Sequence, residues 1–113
     1  MLLMLRAIDQ AWVSAFSESG LHDLYFSRLF TELWLRGSGA ISKTEAYDLV
    51  KEVSLQTAIK YVRRAVAEGY LEELDHPEDR RSRLLRMTPR LLDRMDRMIA
   101  ALQAAVAALD AGR

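Results

Sequence analysis

Seven arginines fall within residues 80–97, at positions 80, 81, 83, 86, 90, 94 and 97, against only Asp93 and Asp96. A second stretch, residues 54–64, holds Lys60, Arg63 and Arg64 and no acid. Thirteen of the 16 basic side chains are Arg, the cation whose planar fork makes bidentate contacts. The chemistry open to such segments is recognition of a polyanion. The chain as a whole is neutral, with 16 basic and 16 acidic side chains, so any such attraction belongs to these segments and not to the net field of the molecule.

Bond-breaking chemistry finds little support. There is no cysteine, which excludes a disulfide framework, a thiolate zinc site and a Cys nucleophile. The only two histidines, His22 and His76, are more than fifty positions apart. Glu72, Glu73 and Asp75 could be taken for paired carboxylates, yet they alternate along a strand pattern, so adjacent ones face apart. No glycine-rich dinucleotide loop, phosphate loop or His-Glu-x-x-His zinc motif occurs. The expectation is a binding protein, not an enzyme, with neither metal nor cofactor.

The elements that must position the basic residues are mostly helical. With 113 residues there is room for one domain of ordinary size. Leu and Ala number 33 against 10 Val and Ile, a balance that favours helix over sheet. Leu5, Ile8, Trp12 and Phe16 recur at helical spacing, so a first helix is expected to end near Glu18-Ser19-Gly20. Phe26, Leu29, Phe30, Leu33 and Trp34 mark a second, stopped by Gly37-Ser38-Gly39. The apolar run at residues 1–5 is interrupted by Arg6 and Asp9 and is too short for a signal-peptide core or a membrane span. A soluble, cytoplasmic protein is expected.

Ser42-Lys43-Thr44-Glu45 reads as a capping box, followed by the apolar stripe Ala46, Leu49, Val50 and Val53. Ser54 can cap a second start, with Leu55, Ala58, Ile59, Val62 and Val66 as its stripe and Gly69 as its stop. Two helices separated by little more than a capping residue form a helix-turn-helix pattern. Outward on the second lie Gln56, Thr57, Lys60, Tyr61, Arg63 and Arg64, with no carboxylate among them. A solvated helix face ordinarily mixes Glu with Lys, whereas amides and cations alone suit base edges and phosphates.

Beyond Gly69, residues 70–74 and 83–87 are short strand-like runs around a polar, Pro-containing tip at 75–82, a β-hairpin pattern. Thr88-Pro89 opens a last helix, Thr as cap and Pro in the first turn. Its stripe runs through Leu91, Leu92, Met95, Met98, Ile99, Leu102, Val106 and Leu109, and Arg90, Arg94 and Arg97 face outward.

Helix, helix and an Arg-tipped hairpin make a winged helix-turn-helix, and residues 54–89 resemble the MarR family of bacterial transcriptional regulators. The wing pattern of that family is roughly Asp-Pro-x-Asp-Arg-Arg, a hydrophobic strand, then Leu-Thr-Pro. Pro77, Asp79, Arg80, Arg81, Met87, Thr88 and Pro89 fit it, and His76 stands where the first Asp is common. The resemblance implies a mainly α fold with a small β-hairpin wing, in which the N- and C-terminal helices form a dimerisation part. It divides a single winged-helix domain into residues 1–37 and 89–113 for dimerisation and residues 40–88 for double-stranded DNA.

By the same resemblance Ser54, Gln56, Thr57, Lys60, Tyr61, Arg63 and Arg64 would meet bases and phosphates in the major groove. Arg81 or Arg80, with Arg83 nearby, would enter the minor groove, and Asp79 would orient the guanidinium through a charge-assisted pair. A homodimer would set two recognition helices about 34 Å apart; the apolar first helix and the Ala-rich segment 100–108 independently favour such pairing. A small-molecule effector is implied as a further partner, for which Trp12, Phe16, Tyr25, Phe26, Phe30 and Trp34 are candidate lining residues, with core packing as their alternative role. The competing reading is a winged-helix protein–protein adaptor that binds no DNA.

Overall fold

In a computed structural model, which describes residues 1–17, 24–37 and 39–112, five helices and three short strands follow in the order α1 (Leu2–Phe16), α2 (Leu24–Arg36), β1 (Ile41–Ser42), α3 (Lys43–Asp48), α4 (Leu55–Ala67), β2 (Leu71–Asp75), β3 (Arg83–Met87) and α5 (Pro89–Ala111). The expected end of the first helix at Glu18-Ser19-Gly20 lies outside the described residues, as does Ser38. Two compact units result, one from Met1–His22 with Leu92–Arg113, the other from Asp23–Leu91. None of the described helices is long and apolar enough to cross a membrane.

The second unit is a winged helix with a core built from one apolar stripe per element. Phe26, Leu29, Phe30 and Leu33 of α2 are buried, as are Ala46 and Val50, then Ala58, Val62 and Ala65 of α4. Leu71, Leu85 and Met87 close the core from the hairpin. The strands form an antiparallel sheet of order β1-β3-β2, with Ile41 opposite Leu85 and Leu71 opposite Met87. Strand β1 was not expected. It is two residues long, with no alternation of its own, and exists because β3 offers it an edge.

Capping chemistry sets the boundaries. The Ser42 hydroxyl accepts from the Glu45 N–H at 3.1 Å, and at 3.2 Å it donates to that side chain's carboxylate, so the box closes side chain to side chain. The helix it starts is shorter than its stripe. After Asp48 the backbone tightens into turns, with Val50 N–H on Tyr47 O and Val53 N–H on Val50 O. Six residues therefore separate α3 from α4, where little more than a capping residue was expected. Val50 stays fully buried because these turns keep nearly the helical spacing.

At the other end of α4, Gly69 takes a left-handed φ of +79°, which lets its N–H reach Val66 O and the Tyr70 N–H reach Ala65 O. This is a Schellman closure. Tyr70, expected in the strand, instead follows that closure and is 1 % exposed, edge-on to Phe30 and beneath the Arg90 guanidinium. Its carbonyl accepts from the Thr88 N–H, and the Thr88 hydroxyl donates to Gly69 O while accepting from Leu91 N–H. The end of α4, both roots of the hairpin and the start of α5 thus meet at one hydrogen-bonded node.

In the first unit the α1 stripe is only half covered. Trp12 and Phe16 are buried and stack at 4.4 Å. Leu5 and Ile8, on the same helix face, are 50 % and 41 % exposed, and Met1, Leu2, Leu3 and Val13 are exposed as well. On α5, Met95 is buried, whereas Met98, Ile99, Leu102, Val106 and Leu109 are only partly covered.

Candidate nucleic-acid interface

Successive residues of an α-helix turn about 100° around its axis. With Ala58, Val62 and Ala65 defining the inward line of α4, Gln56, Lys60 and Arg63 fall within about 50° of the opposite direction, and all three are exposed. Lys60 and Arg63 form no ion pair among the described residues. Arg64 is exposed too but leans on the Glu68 carboxylate at 3.9 Å, the acid that ends the carboxylate-free face.

Two expected members of this face are held otherwise, and one residue expected in the core stripe is exposed instead. Ser54 is the N-cap of α4: its hydroxyl accepts from the Thr57 N–H at 3.2 Å and donates to the Thr57 hydroxyl at 3.0 Å. Its only donor is therefore committed within the helix. Tyr61 is half-buried and turned toward α2, its ring edge-on to Phe26 at 4.5 Å and to Tyr25 at 5.6 Å. The outward placement expected for it is corrected by those aromatic neighbours, which offer the ring an apolar contact that solvent does not. Leu55, assigned by its spacing to the stripe, is 64 % exposed, and Ala65 takes the inward place instead.

The hairpin separates its arginines into two kinds. On the strands each guanidinium has an acid across the ladder, with Arg83 bonded to Asp75 at 2.9 Å and Arg86 Nε to Glu72 at 2.8 Å. Glu73 is paired with Lys43 at 2.6 Å, tying β2 to α3, and that hydrogen bond holds its carboxyl below the ordinary range. Each carboxylate of the Glu72, Glu73, Asp75 group is therefore matched to its own cation. At the tip, Arg80 and Arg81 are exposed, and their guanidinium groups have no ion pair among the described residues.

Among the described residues Asp79 holds no guanidinium, contrary to expectation. One carboxylate oxygen accepts from the Arg81 backbone N–H and the other from the Ser82 hydroxyl, both at 2.9 Å. Those two bonds, the backbone one first, keep its carboxyl below the usual aspartate range. The acid reaches the main chain because it sits two residues upstream of that N–H, the spacing of an Asx turn. His76, given no role by sequence reasoning, does the same one step earlier, its Nδ1 accepting from Glu78 N–H and Asp79 N–H at 3.1 Å. The spacing of His76, Asp79 and Ser82, three residues apart, was the available signal for these nested turns. Arg80 and Arg81 thus project from a tip whose backbone is fixed by side chains, and their heads are left to solvent.

The aromatics considered as ligand lining are largely engaged in packing: Trp12, Phe16, Phe26 and Phe30 are buried, while Tyr25 and Trp34 are half-buried.

A short helix pair, a three-stranded sheet and a basic-tipped hairpin define a winged helix-turn-helix, the fold expected from the sequence. Solved structures narrow it further. RV1404 from Mycobacterium tuberculosis superposes at a TM-score of 0.83 with 18 % identity, covering 98 % of this chain and 72 % of its own. The transcriptional regulator Tm0710 from Thermotoga maritima gives 0.73 and 20 %, covering 93 % and 71 %. A MarR mutant from E. coli, solved in complex with operator DNA, gives 0.64 and 19 %, covering 94 % and 74 %. The chain has the fold of MarR-family transcriptional regulators, and at these identities the likeness is one of fold. No protein-family model matches the sequence, and no curated protein does.

Proposed function

We propose that the protein is a MarR-type transcriptional regulator that binds double-stranded DNA sequence-specifically and represses by occupying its operator. In this reading α4 enters the major groove with Gln56, Lys60, Arg63 and Arg64, and the wing carries Arg80 and Arg81 into the minor groove, where narrow A·T-rich segments attract arginine. The observation that carries it is the division of the basic residues. Those on β3 are neutralised by neighbouring acids, while Lys60, Arg63, Arg80 and Arg81, outward on α4 and at the wing tip, have no acid partner among the described residues. The fold shared with a protein crystallised on operator DNA supports it.

Homodimerisation through the α1 and α5 part belongs to the same proposal. Uncovered Leu5 and Ile8, together with the half-covered stripe of α5, are surface that a second copy would bury. A two-fold dimer requires an inverted-repeat operator. The test is selection of bound duplexes from a random pool, followed by affinity measured against salt. The expected result is an inverted repeat with half-sites about ten base pairs apart. The log–log salt slope should flatten by about 0.9 in Lys60→Ala, because one phosphate is no longer neutralised. Lower transcription from a promoter carrying that repeat would establish repression. A protein adaptor, by contrast, would yield no salt-steep complex, and Lys60→Ala would leave its partner binding intact.

A further inference from the structure

We infer that Leu55 reads the 5-methyl group of a thymine, making it a specificity-determining residue of the site; the inference rests on the DNA-binding reading above. Among the described residues of the winged unit, Leu35 and Leu55 are the only large aliphatic side chains that stand exposed, and Leu55 is the first residue of α4. It stands at the rim of an open groove of about 430 Å³ that Tyr47, Val53 and Ile59 also line, so the groove wall leaves its outer face uncovered. The N-terminal turn of a recognition helix is the part that reaches base edges. What that turn can offer a base is limited here. The Ser54 donor is spent on Thr57, which leaves the Leu55 isobutyl group, the Gln56 amide and the Thr57 hydroxyl.

These groups match one kind of base pair. The thymine methyl is the apolar feature of the major-groove code, and a Gln amide is complementary to the N6 and N7 edge of adenine. Leu55 next to Gln56 therefore selects for A·T pairs at the start of each half-site, with the apolar contact distinguishing T·A from A·T orientation. The contact is made by a side chain that contributes little to the fold, since two-thirds of it is already in water.

The inference is tested with the duplex that wild-type protein selects, replacing each thymine in turn by deoxyuridine. Removing one methyl from a buried apolar contact should weaken wild-type binding about fourfold at one position per half-site, the equivalent of about 0.8 kcal/mol. Leu55→Ala should lose a similar factor on the thymine duplex and show no further decrease on the deoxyuridine duplex. Leu55→Met, which keeps an apolar tip, should retain sensitivity to the methyl. Wild-type indifference to deoxyuridine at every position, or equal methyl sensitivity in Leu55→Ala, would overturn the assignment while leaving DNA binding standing. Failure to select any duplex with salt-dependent affinity would instead overturn the DNA-binding reading, and this inference with it.

Discussion

Arg81→Ala and Arg83→Ala remove the same charge two residues apart on one hairpin, and the structure assigns them different consequences. Arg83 is bonded to Asp75, whose side chain is 92 % exposed. A pair so open contributes roughly 0.2–1 kcal/mol, and the aspartate left behind remains solvated. Arg81 has no acid partner among the described residues, while the backbone beneath it is fixed by Asp79. Its removal should leave the fold intact and cost roughly 1–3 kcal/mol of operator binding, about 5- to 150-fold. Bulk electrostatics cannot produce that contrast, because both variants carry the same net charge and screening reaches about 8 Å at physiological salt. Fluorescence anisotropy on the selected operator, at two salt concentrations, measures both affinities. Equal weakening in the two variants would reduce the wing to diffuse charge, and an unchanged Arg81→Ala would remove it from the mechanism.

Three other outcomes are expected. Gly69→Ala forces an alanine to a φ of +79° where its Cβ meets nothing closer than Arg90 Cδ at 3.8 Å. Its cost is thus backbone strain of about 1–2 kcal/mol, visible as a thermal midpoint lowered by at least about 4 °C; an unchanged midpoint would deny the Schellman closure its role. Because the folded tip holds the Asp79 carboxyl below 3.8, the stability it lends is complete above that pH and is lost as pH falls through the lower folded value. The Arg81 amide resonance should accordingly titrate with a midpoint under 3.8, and a midpoint at or above it contradicts the hydrogen bond. Placing Glu at both Leu5 and Ile8 should convert the proposed dimer to a monomer of 12.9 kDa in sedimentation and abolish binding to the proposed inverted repeat while near-native helix content is kept; a persisting dimer would place the interface elsewhere.

What could be read from residue order were the features whose causes are local. Ser42, Ser54 and Thr88 announced helix starts because a hydroxyl three residues ahead of an N–H is a cap wherever it occurs. Pro77 and the polar cluster around it announced the wing. Features decided by a neighbour distant in the chain stayed hidden. Strand β1 exists only opposite Leu84 and Leu85, and Tyr61 turns inward only because Phe26 lies beside it. Leu55 has the spacing of a core residue, and periodicity alone cannot reveal that the first turn of α4 is left uncovered. The basic residues themselves were legible; which of them were already neutralised was not, since Arg83 and Arg86 meet Asp75 and Glu72 through strand register, eight and fourteen positions away.

The node at Gly69, Tyr70 and Thr88 has a bearing on how such a protein can change. The core residues of α4, Ala58, Val62 and Ala65, and Tyr70 just beyond its last turn are buried, and none of them is among the outward Gln56, Lys60 and Arg63. If the proposed DNA-binding reading holds, the target such a molecule answers to can be rewritten at three or four outward positions with the scaffold untouched. Paralogues diverging in target, or an engineer seeking a new one, would vary the letters and leave the rivet alone.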